Sequence, residues 1–213
     1  MKLINLSARS IQRLGAGGLM GLSLLLQGCA PMLLGTAVGT VLVSVDRRSA
    51  GTQLNDETIE LKGAAKVREF FDDSAHISVT SFNTLVLLTG QVSNMSDKNK
   101  IESAISELEN VKMVVNDLEL GFPSSLSVRA ADAVITAKMR ALLIDAKDLT
   151  SSSFKIVTER GKIYLMGRVT EQEAKKATQI AQSINGVNKV VQVFDLLTEA
   201  ELEKLLKRND GTR

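Results

Sequence analysis

The residues that most often carry chemistry in proteins are scarce in this chain. Its 213 residues include one cysteine, Cys29, and one histidine, His76. A single cysteine cannot form a disulfide within the chain, and one histidine cannot supply a metal site built from several imidazoles. The acidic pair Asp72 and Asp73 suggests acid-base chemistry, but such acids are usually solvated or interact with a helix dipole. We therefore expect no enzyme activity, no catalytic residue, no metal site and no cofactor.

The surroundings of Cys29 give this thiol a different use. Three basic residues and no acidic ones precede an uncharged apolar stretch over residues 14–26, as in an export signal. The four residues Leu26-Gln27-Gly28-Cys29 resemble the lipobox of bacterial lipoproteins. This resemblance implies a signal peptide over residues 1–28, cleavage before Cys29, and acylation of its thiol and new amino terminus. Several acyl chains would hold the protein firmly on a membrane.

A transmembrane helix is the alternative for this segment. Residues 14–45 carry no charge, and they exceed the roughly 20 residues that a membrane span needs. Seven glycines interrupt the segment, which favours the cleaved lipoprotein. Ala30 follows the cysteine and resembles the pattern that sends enteric-type lipoproteins to the outer membrane. We therefore expect a protein anchored by lipid in the outer membrane, on its periplasmic face.

The rest of the chain contains an internal repeat. Residues 77–92 match residues 154–169 at an offset of 77 residues, and Asp56 falls on Asp132 at an offset of 76. Two copies are too few for a solenoid, so the pattern indicates a duplicated domain. We predict a flexible stalk over residues 29–54, domains over 55–121 and 122–197, and a C-terminal helix and tail over 198–213.

Apolar spacing predicts the order helix, strand, strand, helix, strand in each copy. The predicted core stripe of the second copy's first helix, which follows Ser127 as cap, is Ala131, Ile135, Met139 and Leu142. Thr170 and Glu173 form a capping-box pattern ahead of the next helix. Two helices on one face of a three-stranded sheet would give each copy an α+β fold.

The hairpin turns of the two copies differ in sequence. Arg160-Gly161 is a two-residue turn signal in the second copy, because glycine tolerates positive φ. Thr84 stands in the place of Gly161 in the first copy. A β-branched residue resists positive φ, so we predict a turn of another type there.

Tandem αββαβ units of this length resemble BON domains. Each unit has a hairpin strand of the type V-x-L-x-G-x-V, with VLLTGQV in the first copy and IYLMGRV in the second. The order of leader, lipobox, glycine-rich stalk and two such units resembles the dual BON-domain outer-membrane lipoproteins. The resemblance implies a non-enzymatic protein that associates with phospholipid, supports outer-membrane integrity and, in some bacteria, acts at the division site.

Charge distinguishes the two copies. Without residues 1–28 the chain has 23 basic and 24 acidic residues, so it lacks the overall basicity of nucleic-acid-binding proteins. Residues 55–121 carry a net charge of −6, and residues 122–197 carry +4. An anionic membrane attracts each nearby basic residue by about 1 kcal/mol, which makes the second copy the expected membrane face. Attraction between the two domains, or ordinary solvated surface, would also account for these charges.

The first helix of the second copy carries the predicted binding site. A second apolar stripe with basic edges runs beside its core stripe, as in helices that lie in a membrane interface. The residues predicted to bind anionic phospholipid are Val134, Lys138, Arg140, Ala141, Ile144 and Lys147. This stripe could instead pack on the other domain or on the C-terminal helix.

A second hypothesis gives the chain a protein partner. It describes a lipid-anchored adaptor whose acidic first copy binds an outer-membrane assembly or cell-wall protein.

Overall fold

The first domain is a four-stranded sheet with two helices. The computed structural model describes residues 46–71 and 76–210. Its elements here are α1 (Ala50–Phe70), β1 (Ile77–Phe82), β2 (Leu85–Val92), α2 (Met95–Ser106), β3 (Met113–Asn116) and β4 (Glu119–Leu120). The central strand β2 pairs antiparallel with β1 and parallel with β3 and β4. The short strand β4 adds to the three strands that the sequence predicts.

The second domain repeats this topology with three strands. Its elements are α3 (Leu126–Asp145), β5 (Phe154–Glu159), β6 (Lys162–Thr170), α4 (Glu171–Gln182) and β7 (Lys189–Leu197), and helix α5 (Glu199–Asp210) follows. The central strand β6 pairs antiparallel with β5 and parallel with β7. The predicted fold of two αββαβ units and a C-terminal helix is confirmed, as is the capping box of Thr170 and Glu173 at α4.

The core stripe of α3 is shifted by one residue at each end relative to the prediction. Leu143 is 1% exposed and lies in the core, whereas Leu142 is 39% exposed. Asp132 is buried in place of its neighbour Ala131, and Ser125 rather than Ser127 caps the helix. Neighbouring apolar residues fit the helical period almost equally well, so the sequence could not tell which of them is buried. The burial of Asp132 shows which side of the helix faces the sheet.

The prediction of a different turn in the first hairpin is wrong. Asn83 and Thr84 have φ values of 51° and 66°, close to those of Arg160 and Gly161 at 51° and 72°. The backbone N–H groups of Asn83 and Thr84 each donate to the carboxylate of Asp56 at 2.8 Å. These hydrogen bonds offset the cost of positive φ at Thr84, about 1–3 kcal/mol for a strained residue.

The repeated aspartates therefore have the same structural role. Asp132 accepts the N–H groups of Arg160 and Gly161 at 2.8 Å each, as Asp56 does in the first hairpin. Both carboxylates are buried at the first helix of their domain. Each one holds the hairpin turn of its own domain.

The two sheets pack against each other on the faces that carry no helices. Successive strand residues point to opposite faces, so Val86 and Leu88 join the core under the helices, while Leu87 lies between the sheets. The buried cluster between the sheets consists of Phe82, Leu87, Tyr164, Met166 and Val193. Both domains belong to one compact unit.

Residues 46–54, which the sequence assigns to a flexible stalk, are folded. Helix α1 begins at Ala50, where Ser49 caps it, so the predicted flexible stalk does not extend to residue 54. Arg47 is buried, and its guanidinium binds the Glu173 carboxylate at 2.6 and 2.7 Å. The other domain boundaries, the signal peptide and Cys29 stay predictions, and Cys29 lies outside the described residues.

Candidate functional site

The face of α3 that points away from the core is apolar and uncovered. We call this surface the outer face, and its residues are Leu126, Ala130, Ala133, Val134, Ala137, Ala141 and Ile144, all of which are exposed. Ile144 is 70% exposed. Within the described residues, neither the first domain nor α5 covers this stripe, so the packing alternative is wrong.

The outer face runs the full length of the helix. Leu126 and Ile144 are 18 residues apart, which is five turns and about 27 Å at the rise of an α-helix. Small alanines lie between these two large side chains. This face therefore suits shallow contact along its whole length with a flat surface.

An exposed aromatic residue lies just before the start of the helix. Phe122 is 90% exposed and precedes the cap residue Ser125 by three positions. The sequence shows no helical or strand pattern around Phe122 and Leu126, because Gly, Pro and Ser residues flank them. The sequence did offer one indication that Phe122 is exposed. It is an aromatic residue outside any apolar run, in a chain with only 3% aromatic residues.

Basic residues flank the outer face on both sides. Lys138 lies on one edge, and Arg140 lies on the other together with Arg129, which the sequence analysis did not single out. Lys147 follows two residues after the helix ends. All four side chains are exposed, and none forms an ion pair with another described residue. The structure thus brings the predicted residues onto one surface, apart from Lys147 just beyond the helix.

The corresponding helix of the first domain lacks such a surface. On α1, Leu54 and Leu61 are exposed, but Glu57 lies between them and Lys62 follows directly. Charges of both signs thus interrupt its apolar residues. The acids of α3 are Asp132, which is buried, and Asp145, which is the last residue of the helix.

The side chains considered for catalysis form no centre in the described residues. His76 Nε2 lies 3.2 Å from Glu159 Oε2, at hydrogen-bond distance, in a contact between the two domains. In the part of the chain that the structure describes, no group of three or more His, Cys, Asp or Glu residues could hold a metal. Asp72 and Asp73 lie outside it. Its helices also include none that is long and apolar enough to cross a bilayer.

Comparison with known sequences matches both domains to one family. The sequence model of the BON domain matches residues 57–121 and 131–198. The chain is also 32% identical over 181 residues to the outer membrane lipoprotein DolP of Haemophilus influenzae, covering 84% of this chain and 94% of that protein.

Two further relatives are more distant. A 21 kDa hemolysin of Actinobacillus pleuropneumoniae is 30% identical over 71% of this chain and 79% of its own length. The osmotically-inducible protein Y of Escherichia coli is 27% identical over 70% of this chain and 76% of its own length.

Proposed function

This chain belongs to the BON-domain family, and on that premise we propose that it is a non-enzymatic outer-membrane lipoprotein that binds anionic phospholipid. Cys29 carries the acyl anchor, and both domains face the periplasm. The outer face of α3 lies on the membrane, with Val134, Ala141 and Ile144 against the acyl chains. Lys138, Arg140 and Lys147 lie among the headgroups.

The observation that carries this proposal is the uncovered apolar face of α3 between basic edges. Fully burying a side chain such as Ile144 contributes about 1.5–3 kcal/mol. Each basic residue adds about 1 kcal/mol near an anionic surface. These contributions are modest one by one, but they act together along a helix of five turns.

The acyl anchor allows weak membrane binding through the outer face of α3 to orient the protein. A protein already tethered to a membrane meets its surface at high effective concentration, so a second weak contact is enough to orient it. Helix α3 would therefore orient both domains, whereas Cys29 would retain the protein at the outer membrane.

Vesicle sedimentation tests the proposal. The chain from residue 29 carries Cys29→Ser, so that no acyl group contributes, and is mixed with zwitterionic or anionic vesicles at low and high salt. We expect binding to anionic vesicles alone, weakened by salt because screening shortens the reach of surface charges. The charge-reversal variant Lys138→Glu, Arg140→Glu, Lys147→Glu should lose this binding.

A matched control changes the same number of charges on the first domain. Lys62→Glu, Lys66→Glu and Arg68→Glu on α1 should leave vesicle binding within about twofold. Absence of binding to any vesicle would contradict the proposal and favour the lipid-anchored adaptor. In that case the acidic first domain would bind an outer-membrane assembly or cell-wall protein.

We propose further that the protein supports outer-membrane integrity, with a place at the division site in dividing cells. The resemblance to dual BON-domain lipoproteins supports this role. A deletion strain should become sensitive to detergent, and the wild-type gene but not the charge-reversal variant should restore resistance. A fluorescent fusion should concentrate at midcell.

A further inference from the structure

A groove between the two domains runs beside helix α3. Its volume is about 410 Å3, within the usual range of small-molecule sites. The residues that line it include His76, Ser78 and Thr89 of the first domain and Arg129, Thr136 and Arg140 of α3. Ser78 and Thr89 are opposite each other in the β1–β2 ladder. The groove is thus complete only when both domains are present.

The acidic residues of the groove are already occupied by contacts within the protein. Asp132 binds the hairpin turn of its domain, as described above. Glu159 accepts hydrogen bonds from Gln91 at 2.8 Å and Ser124 at 2.6 Å, and it lies 3.2 Å from His76 Nε2. Burial raises the pKa of Glu159, but these hydrogen bonds and the nearby His76 outweigh it, so the pKa lies below its usual value.

The guanidinium groups of Arg129 and Arg140 have no polar partner among the described residues. The two residues are 11 positions apart, about three turns, and therefore lie on the same edge of α3. Neither side chain makes an ion pair or hydrogen bond with another described residue. Guanidinium groups bind phosphate with paired N–H donors, which makes arginine well suited to phosphate recognition.

We propose that this groove binds the phosphate group of an anionic phosphate ester through Arg129 and Arg140, with Ser78 and Thr89 of the first domain forming its opposite wall. The inference rests on the proposed function, since Arg140 also borders the outer face. A phospholipid on that face would have its phosphate at the mouth of the groove. The same chemistry could also recognise a soluble phosphate ester.

Charge-matched vesicles separate phosphate recognition from simple attraction. Vesicles of digalactosyl diacylglycerol, a neutral lipid without phosphate, are made equally anionic with either phosphatidylglycerol or oleate, at a pH at which the oleate carboxylate is ionised. We expect the Cys29→Ser chain to prefer phosphatidylglycerol by about tenfold, as for one net hydrogen bond to a charged group. The variant Arg129→Gln, Arg140→Gln should bind both vesicles equally.

The variant Lys138→Gln, Lys147→Gln is the matched control. It removes two positive charges outside the groove, so it should weaken binding to both vesicles by the same factor and keep the preference. Urea unfolding midpoints verify that both variants are folded. If the Cys29→Ser chain with Arg129 and Arg140 intact binds both vesicles with equal affinity, the inference is overturned. The proposed function then still stands. Absence of binding to either vesicle overturns both.

NMR titration distinguishes the two ligand sources. For a lipid headgroup, the amide signals of Ser78 and Thr89 should shift with phosphatidylglycerol nanodiscs and shift with sn-glycerol 3-phosphate only at millimolar concentration. Micromolar binding of the soluble ester would assign the groove to a soluble ligand. Unchanged Ser78 and Thr89 signals with both ligands would contradict the groove as the binding site.

Discussion

Asp56 and Asp132 show how one buried residue can determine the conformation of a turn. Asp56 accepts hydrogen bonds from Ser81 Oγ at 2.7 Å and from the backbone of Asn83 and Thr84, and it pairs with Arg48 at 2.8 Å. A carboxylate with several such donors is strongly stabilised because hydrogen bonds to charged groups exceed neutral ones. Asp56 can therefore hold Thr84 at positive φ.

Replacing each of these aspartates should destabilise the protein to a different extent. We expect Asp56→Ala to lower the free energy of unfolding by about 3 kcal/mol and Asp132→Ala by about 2 kcal/mol, because Gly161 adopts positive φ without help. Urea unfolding followed by circular dichroism gives both values.

The turn residue provides the control for this prediction. Adding Thr84→Gly to Asp56→Ala should recover about 1 kcal/mol, since glycine removes the strain. Equal losses in the two single variants, with no recovery in the double variant, would mean that strain at Thr84 is not the cause.

At the scale of elements, α1 and α3 occupy equivalent places but expose different surfaces. Both helices bury one stripe against their own sheet through similar apolar positions. Mixed charges cover the exposed side of α1, whereas apolar residues cover that of α3. The two copies thus share the inner side of the helix and differ on its outer side.

Phe122 should contribute to membrane binding without contributing to stability. We expect Phe122→Ser to lower vesicle affinity about tenfold, because partial burial of a phenylalanine contributes roughly 1.5 kcal/mol. The unfolding midpoint should stay unchanged, since the side chain is 90% exposed. Vesicle sedimentation and urea unfolding measure the two effects separately.

Leu61 on α1 is the matched control because it is also an exposed large apolar residue. Leu61→Ser should leave vesicle affinity unchanged. A similar loss in both variants would indicate general apolar adsorption rather than binding through α3.

On the scale of the whole molecule, polar contacts join the two domains around the core between the sheets. Tyr164 Oη donates to Asp117 at 2.6 Å, and Asn83 donates to Asp195 at 2.7 Å. Burial, reinforced by Asp117, raises the pKa of Tyr164, so the phenol keeps the proton that it donates. These contacts and the shared core should make both domains unfold together.

Acid should weaken this assembly. Burial raises the pKa of Asp117, Glu159 and Glu173, but hydrogen bonds and nearby cations outweigh burial and leave each pKa below its usual value. The folded protein then binds fewer protons than the unfolded chain, so stability is full above the unfolded values and falls with pH below about 4.5. Urea midpoints between pH 7 and pH 3 measure this decline.

The contact between Arg47 and Glu173 allows one part of this decline to be isolated. Glu173→Gln should make stability less dependent on pH below 4.5, since one depressed carboxyl group is gone. Glu171→Gln, at an exposed neighbouring position, should leave the dependence unchanged. An identical decline in both variants would show that Glu173 has no part in it.

The order of elements, the duplication and the apolar stripe from Val134 to Ile144 could be predicted from the sequence alone. These features depend on local spacing, because helix and strand periods and turn residues act over a few positions. The turn at Asn83-Thr84 could not be predicted, since the carboxylate that holds it lies 27 residues away in Asp56.

Which surfaces are buried depends on how distant parts of the chain pack together. Contacts between distant residues selected Leu143 over Leu142 for the core, packed the two sheets together and left the outer face of α3 uncovered. They also placed Arg129 and Ser78 of the other domain along the same groove, which no local pattern could reveal. The outer face of α3 could thus be predicted in part from the sequence. The groove beside it could not, because it forms only when the two domains pack together.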